Sequence, residues 1–185
     1  TCYNMGYLIT KAHLQLQRGD STNFRAILLE NNINRILGNN RNKVTVFLSH
    51  KHDETDILND VVSLLKSLGV DVYVDWMDST MPKTTSGVTA AKLKEKIAAC
   101  HKFIFIGTEG AIASKWCNWE LGIGDAKKYP TNIAILPIAN NTGYYSGSEY
   151  LQIYPVIKTE YNTVKGHYFV EWRNTKLSLS EWLKK

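Results

Sequence analysis

Residues 43–75 read KVTVFLSHKHDETDILNDVVSLLKSLGVDVYVD. Val44 to Leu48 is a short, nearly uninterrupted run of β-branched and aromatic residues, the signature of a strand buried on both faces. Ile57, Val61, Leu64, Leu65 and Leu68 then recur at helical spacing, which predicts a helix over Thr55 to Leu68. Val70 to Val74 is a second strand of the same kind. A strand, a helix and a strand within about thirty residues is the unit that builds a parallel sheet.

The alternation continues toward the C-terminus. Ala90, Leu93, Ile97 and Cys100 follow each other at spacings of three, four and three and predict a helix after the loop Asp75 to Gly87. Phe103 to Ile106 reads as a third strand, Ser114 to Lys128 as a third helix and Ile133 to Ile138 as a fourth strand. Ser148 to Tyr154 is a weak helix, Tyr168 to Trp172 the fifth strand and Leu179 to Leu183 a closing helix. Such strands separated by helices predict an α/β domain with a flavodoxin-like, doubly wound, five-stranded parallel sheet covered on both faces. Ligands of such sheets bind outside the carboxyl ends of the strands, which singles out Ser49 to Asp53, Asp75 to Gly87 and Gly107 to Glu120.

Toward the N-terminus the pattern breaks. Six of the twelve residues from 31 to 42 are asparagine, with Gly38 among them, and this composition favours helix ends and turns. Tyr7 to Leu16 and Phe24 to Leu37 carry apolar residues at helical spacing. The expectation is an N-terminal helical extension over residues 1–42 and a single domain over 43–185. The first twenty residues lack the apolar core and cleavage site of a signal peptide, and a start at Thr1 rather than Met leaves room for a natural N-terminus upstream.

The whole chain has 185 residues, room for one core and an appendage but not for two large domains. No window approaches the ~18 uninterrupted apolar residues of a membrane span. The net charge is +5, and residues 1–42 hold five basic against two acidic residues, so most of the excess lies outside the proposed domain. The basic residues are scattered, without the dense stripe of a nucleic-acid reader, so neither nucleic acid nor membrane is an expected partner. Cys2, Cys100 and Cys117 form no CxxC pair and cannot all pair within the chain, which points to a reducing cytoplasm.

The segment richest in chemistry is Ser114-Lys115-Trp116-Cys117-Asn118-Trp119-Glu120-Leu121. On a helix, Trp116 and Cys117 lie four and three residues before Glu120 and share its face. Two readings follow. Either Glu120 sits in an apolar, aromatic stripe where lost hydration raises its pKa and makes it a usable acid, base or acceptor, or the helix phase slips and it is a solvated residue beside core tryptophans. Trp116 is likewise either a ring offered to a ligand or a packing residue. Cys117 has no evident partner base and fits a pocket or core wall better than a nucleophile. His50 and His52 raise a metal reading, but no nearby Cys or Glu completes a ligand set, so no metal is expected. Asp53 suits a helix cap. Gly107-Thr108-Glu109-Gly110 lacks the GxxxxGK[ST] pattern, and Gly122 and Gly124 form no GxGxxG turn, which disfavours a kinase or a Rossmann dehydrogenase.

From about Lys43 onward the chain resembles a Toll/interleukin-1 receptor (TIR) domain of the prokaryotic, NAD-cleaving type. Three stretches carry the likeness in the family's order. Val46-Phe47-Leu48-Ser49-His50-Lys51 resembles the first box, and Val72-Tyr73-Val74-Asp75 the strand that enters the long BB loop. Ser114 to Leu121 resembles the Ser-x-Trp-Cys-x-x-Glu-Leu helix start of enzymatic members. Trp76 and Met81 are large apolar groups in the BB loop, which lacks the arginine and glycine found after its Asp in many members.

The resemblance implies cleavage of the nicotinamide–ribose bond of NAD+, giving ADP-ribose or a cyclic isomer used as a signal in antiphage defence. NAD+ is then substrate, and no cofactor is implied. Glu120 maps onto the catalytic glutamate. Ser49, His50, Lys51, Trp76, Ser114, Trp116 and Cys117 map around the substrate, with Ser49, His50 and Lys51 at a turn suited to the diphosphate. The family also implies self-association through the TIR domain, to which the N-terminal helices are candidate contributors, and a downstream effector that receives the cyclic nucleotide. Two alternatives stand beside this reading: a non-catalytic TIR interaction module, and a nucleoside-processing relative of the deoxyribosyltransferases. The glutamate favours an enzyme, since adaptor-type members often lack it.

Overall fold

The computed structural model describes residues 7–17, 43–75, 86–140, 142–147, 149–160 and 167–185. Its strands are β1 (Ile9–Thr10), β2 (Thr45–Ser49), β3 (Asp71–Tyr73), β4 (Lys102–Gly107), β5 (Ile133–Ala139), β6 (Val156–Thr159), β7 (Tyr168–Trp172) and β8 (Thr175–Ser178). The helices are α1 (Lys11–Gln17), α2 (Thr55–Ser67), α3 (Gly87–Ala99), α4 (Glu109–Ala113), α5 (Lys115–Lys128) and α6 (Leu179–Lys184), with a 3-10 turn over Glu149–Ile153. The sheet runs β3-β2-β4-β5-β6-β7-β8. Its first five strands are mutually parallel, and β7 and β8 are added antiparallel at the edge.

Strand alternation divides the interior by chemistry. Val46, Leu48, Ile104, Ile106, Ala134 and Leu136 face α1, α2 and α6 in an aliphatic layer. Phe47, Tyr73, Phe103, Phe105, Ile133 and Ile135 face α3 and α5 in a largely aromatic one. Phe47 stacks on Phe103 and on Tyr73, each with ring centroids 5.5 Å apart. Gly124 lets α5 approach that stack, since a Cβ there would lie 2.9 Å from Phe103.

The doubly wound α/β sheet predicted from the sequence is present, with two differences. The fifth parallel strand is Val156–Thr159, not Tyr168 to Trp172, which instead pairs antiparallel with β6 and forms a hairpin with β8. Arg173 turns that hairpin at φ 52° without a glycine, so the usual sequence signal for the turn is missing. In the N-terminal segment, Ile9 and Thr10 are strand rather than helix and pair with Ile138 and Ala139 at the end of β5. Ile9 and Leu14 are fully buried in the aliphatic layer, and Tyr7 exchanges backbone hydrogen bonds with Thr159. Unpaired backbone at the end of β5 and a β-branched pair to fill it explain the switch. The expected helix over Phe24 to Leu37 lies outside the described residues. Among the described residues no helix is long and apolar enough to cross a membrane.

Candidate active site

Strand order reverses between β2 and β4, and the loops leaving their carboxyl ends lie side by side there. Thr108 Oγ1 donates to Glu54 Oε2 at 2.5 Å and so ties the loop after β4 to the start of α2. Ser114 begins α5, its hydroxyl accepting from the Cys117 amide at 3.3 Å, as an N-capping serine does. With the helix phase set by that cap, Cys117 and Glu120 face inward and Trp116 is half-buried.

Glu120 is 3% exposed and is not a solvated surface residue. Ser49, fully buried at the end of β2, donates its hydroxyl to Glu120 Oε2 at 2.6 Å. Trp116 also hydrogen-bonds the carboxyl group, and its ring stacks on Trp119 with centroids 4.9 Å apart. Loss of hydration pushes the Glu120 pKa from 4.5 up to about 8; the Ser49 hydrogen bond opposes that rise, and the charge of Asp75 reinforces it. At pH 7 the site therefore stores a largely neutral carboxyl group, removed from water and bordered by Trp116.

The other residues singled out in the sequence take distinct places. His50 is buried and donates through Nδ1 to the Leu48 carbonyl at 3.2 Å; burial holds its pKa below the ordinary 6.5. Its own carbonyl accepts the Cys117 thiol at 3.2 Å. Burial pushes that thiol up to about 11, so Cys117 is a protonated wall of the site and not a nucleophile. Ser49, read as a donor to a diphosphate, is committed to Glu120. Ser114 is committed to the helix cap. Lys51 lies half-exposed beside Asp53, 3.4 Å away, at the turn that follows β2. Trp76 lies outside the described residues.

Two residues gain importance only in three dimensions. Asp75, buried just past β3, accepts from His52 Nε2 at 3.1 Å, and this hydrogen bond raises the His52 pKa above 6.5. The charges of both residues reach Glu120, in opposite senses. Their separation of 23 positions hid the pairing, although Asp75 already stood out as the entry to the loop.

Chemically, a buried carboxyl group held by a hydroxyl and an indole N–H can accept hydrogen bonds from a sugar and face a developing positive charge. Among the described residues its side-chain hydrogen bonds come from Ser49 and Trp116, not from a thiol or an imidazole.

Residues 46–159 match the family model for the TIR domain. The chain is also similar to two provisionally named bacterial proteins. A 3′ cyclic ADP-D-ribose synthase ThsB′ of Bacillus cereus (strain MSX-D12) is 32% identical over 126 residues, covering 63% of this chain and 62% of the relative. A cyclic ADP-D-ribose synthase TIR2 of Cytobacillus dafuensis is 27% identical over 85 residues, covering 44% of this chain and 22% of the relative. The chain thus spans less than two thirds of the length of either.

Proposed function

Because the chain belongs to the TIR domain family, we propose that it is an NAD+ nucleosidase that breaks the nicotinamide–ribose bond and gives ADP-ribose or a cyclic ADP-ribose isomer. The observation that carries this reading is the buried Glu120 carboxyl group, held by Ser49 and Trp116 at the switch point of the sheet. The names of the two relatives support ring closure over simple hydrolysis.

Nicotinamide in NAD+ is a cationic leaving group and needs little acid assistance. The C1′–N bond breaks with its electron pair going to the ring nitrogen, and positive charge passes to the ribose. Arrival of that cation beside a neutral Glu120 favours transfer of the carboxyl proton to water. The resulting carboxylate, already oriented by Ser49, accepts from the ribose hydroxyls and stabilises the oxocarbenium-like state. Trp116 fixes the carboxyl group and presents an aromatic surface that a pyridinium ring favours. Lys51, at the turn after β2, is the residue for the diphosphate. Water attacking C1′ gives ADP-ribose, whereas the adenine or a ribose hydroxyl attacking it gives a cycle.

Self-association through the TIR domain completes the pocket, and a downstream effector reads the cyclic product in antiphage defence. A reducing cytoplasm, which keeps the buried Cys100 and Cys117 as thiols, is the compartment that fits. The test is chromatography of the adenine-containing products after incubation of the full chain with NAD+, alongside Glu120→Gln. Nicotinamide release by the wild type, lost in the variant, is expected. A folded wild type that releases none at any protein concentration makes the chain an interaction module instead.

A further inference from the structure

His50, His52 and Asp75 come from two loops that follow neighbouring parallel strands, β2 and β3. One ring nitrogen from each histidine and one carboxylate oxygen of Asp75 all lie within 4.8 Å of one another, and the two rings meet edge to face with centroids 5.5 Å apart. His52 Nε2 and Asp75 Oδ2 are already 3.1 Å apart. Ligand atoms bound at 2.0–2.2 Å around a tetrahedral zinc stand about 3.4 Å from each other, so one pair is close to coordination distance and the third atom needs at most about 1.4 Å of side-chain motion. We propose that His50, His52 and Asp75 form a binding site for a borderline divalent cation, Zn2+ foremost, beside Glu120.

Three features support a ligand set over a fortuitous cluster. Two imidazoles and one carboxylate are donors that suit zinc, and three protein ligands leave a coordination position open, as in reactive rather than structural zinc sites. Metal-bound histidines almost always donate their second ring nitrogen to a carbonyl or carboxylate; the bond from His50 Nδ1 to the Leu48 carbonyl is that arrangement and puts the ring lone pair on Nε2. Finally, His50 and Asp75 are buried and His52 is exposed, which gives fixed ligands on the inside and an entry side facing water. Lys51, whose charge reaches His52, has its nitrogen drawn toward Asp53.

The experiment is calorimetric titration of the full, reduced chain with ZnCl2 in a non-chelating buffer without NAD+, repeated with His52→Ala and Cys117→Ser. One Zn2+ per chain is expected for the wild type and for Cys117→Ser, and at least a 10-fold loss of affinity for His52→Ala, in line with the effect of losing even a supporting partner at such sites. His52 is exposed, so its removal leaves the core intact; circular dichroism checks this, and Asp75→Asn supplies an independent loss of a ligand. Titration with Co2+ identifies the donors: stronger ligand-field absorption without a thiolate charge-transfer band is expected. Equal affinity in wild type and His52→Ala, no binding by the folded wild type, or a thiolate band would each overturn the proposal.

Discussion

Replacing Glu120 by glutamine should abolish NAD+ cleavage and at the same time make the protein more resistant to alkaline conditions. In the folded chain burial holds the carboxyl pKa near 8, against 4.5 when hydrated. A carboxyl group with a raised folded pKa binds more protons folded than unfolded between those two values, so stability falls as pH rises through that window. The proton-linkage relation applied to these two values gives a loss of about 2.5 kcal/mol between pH 6 and pH 9. Glutamine is nearly isosteric, can keep a hydrogen bond with Ser49, and does not titrate. For a chain of this size about 2.5 kcal/mol corresponds to ~5–10 °C in Tm, so the variant's Tm should gain that much on the wild type from pH 6 to pH 9. Scanning calorimetry of both proteins across this range, with nicotinamide release measured on the same samples, reads both effects. Melting curves that stay parallel from pH 6 to pH 9 would refute the neutral, buried carboxyl group.

Other expectations follow from the same geometry. On the proposed mechanism, in which the ionised form of Glu120 faces the developing cation, kcat/KM for NAD+ should rise with pH to a plateau with a midpoint near 8; a flat profile from pH 6 to 9 would contradict this. Ser49→Ala removes a donor that favours the ionised form, so that midpoint should move upward by about one unit, read from the same pH series. Cys117→Ser should retain most of the proposed activity, and thiol reagents at pH 7–8 should spare Cys117 in the folded protein, because burial raises its pKa to about 11; rapid inactivation traced to Cys117 by mass spectrometry would contradict it. Gly124→Ala should destabilise by about 1–3 kcal/mol through overpacking against Phe103, measured by denaturant unfolding.

The parallel core was legible because each of β2, β3, β4 and β5 is a short apolar run and each intervening helix keeps a clear stripe. β6 was not, because Val156-Ile157-Lys158-Thr159 interleaves a lysine, which the structure places beside Glu171 of the next strand. The β7–β8 pairing rests on Arg173 in a left-handed turn, a conformation that a sequence without glycine there does not advertise. Ile9 and Thr10 are strand only because β5 offers them open backbone, which is a tertiary cause. In the site, Glu120 and its two helix-face neighbours could be read from spacings of three and four. Ser49, 71 residues away, could be placed near it but not assigned its task, and the approach of Asp75 to His52 depends on the register of β2 against β3.

One mechanical consequence comes from the way α5 meets β2. Cys117 and Glu120, one turn apart, are fastened to consecutive residues of the opposite chain segment, the His50 carbonyl and the Ser49 hydroxyl. A rod held at two points cannot swivel about either. Rotation of the helix about either contact is therefore resisted by the other, which couples the start of the helix to the end of the strand.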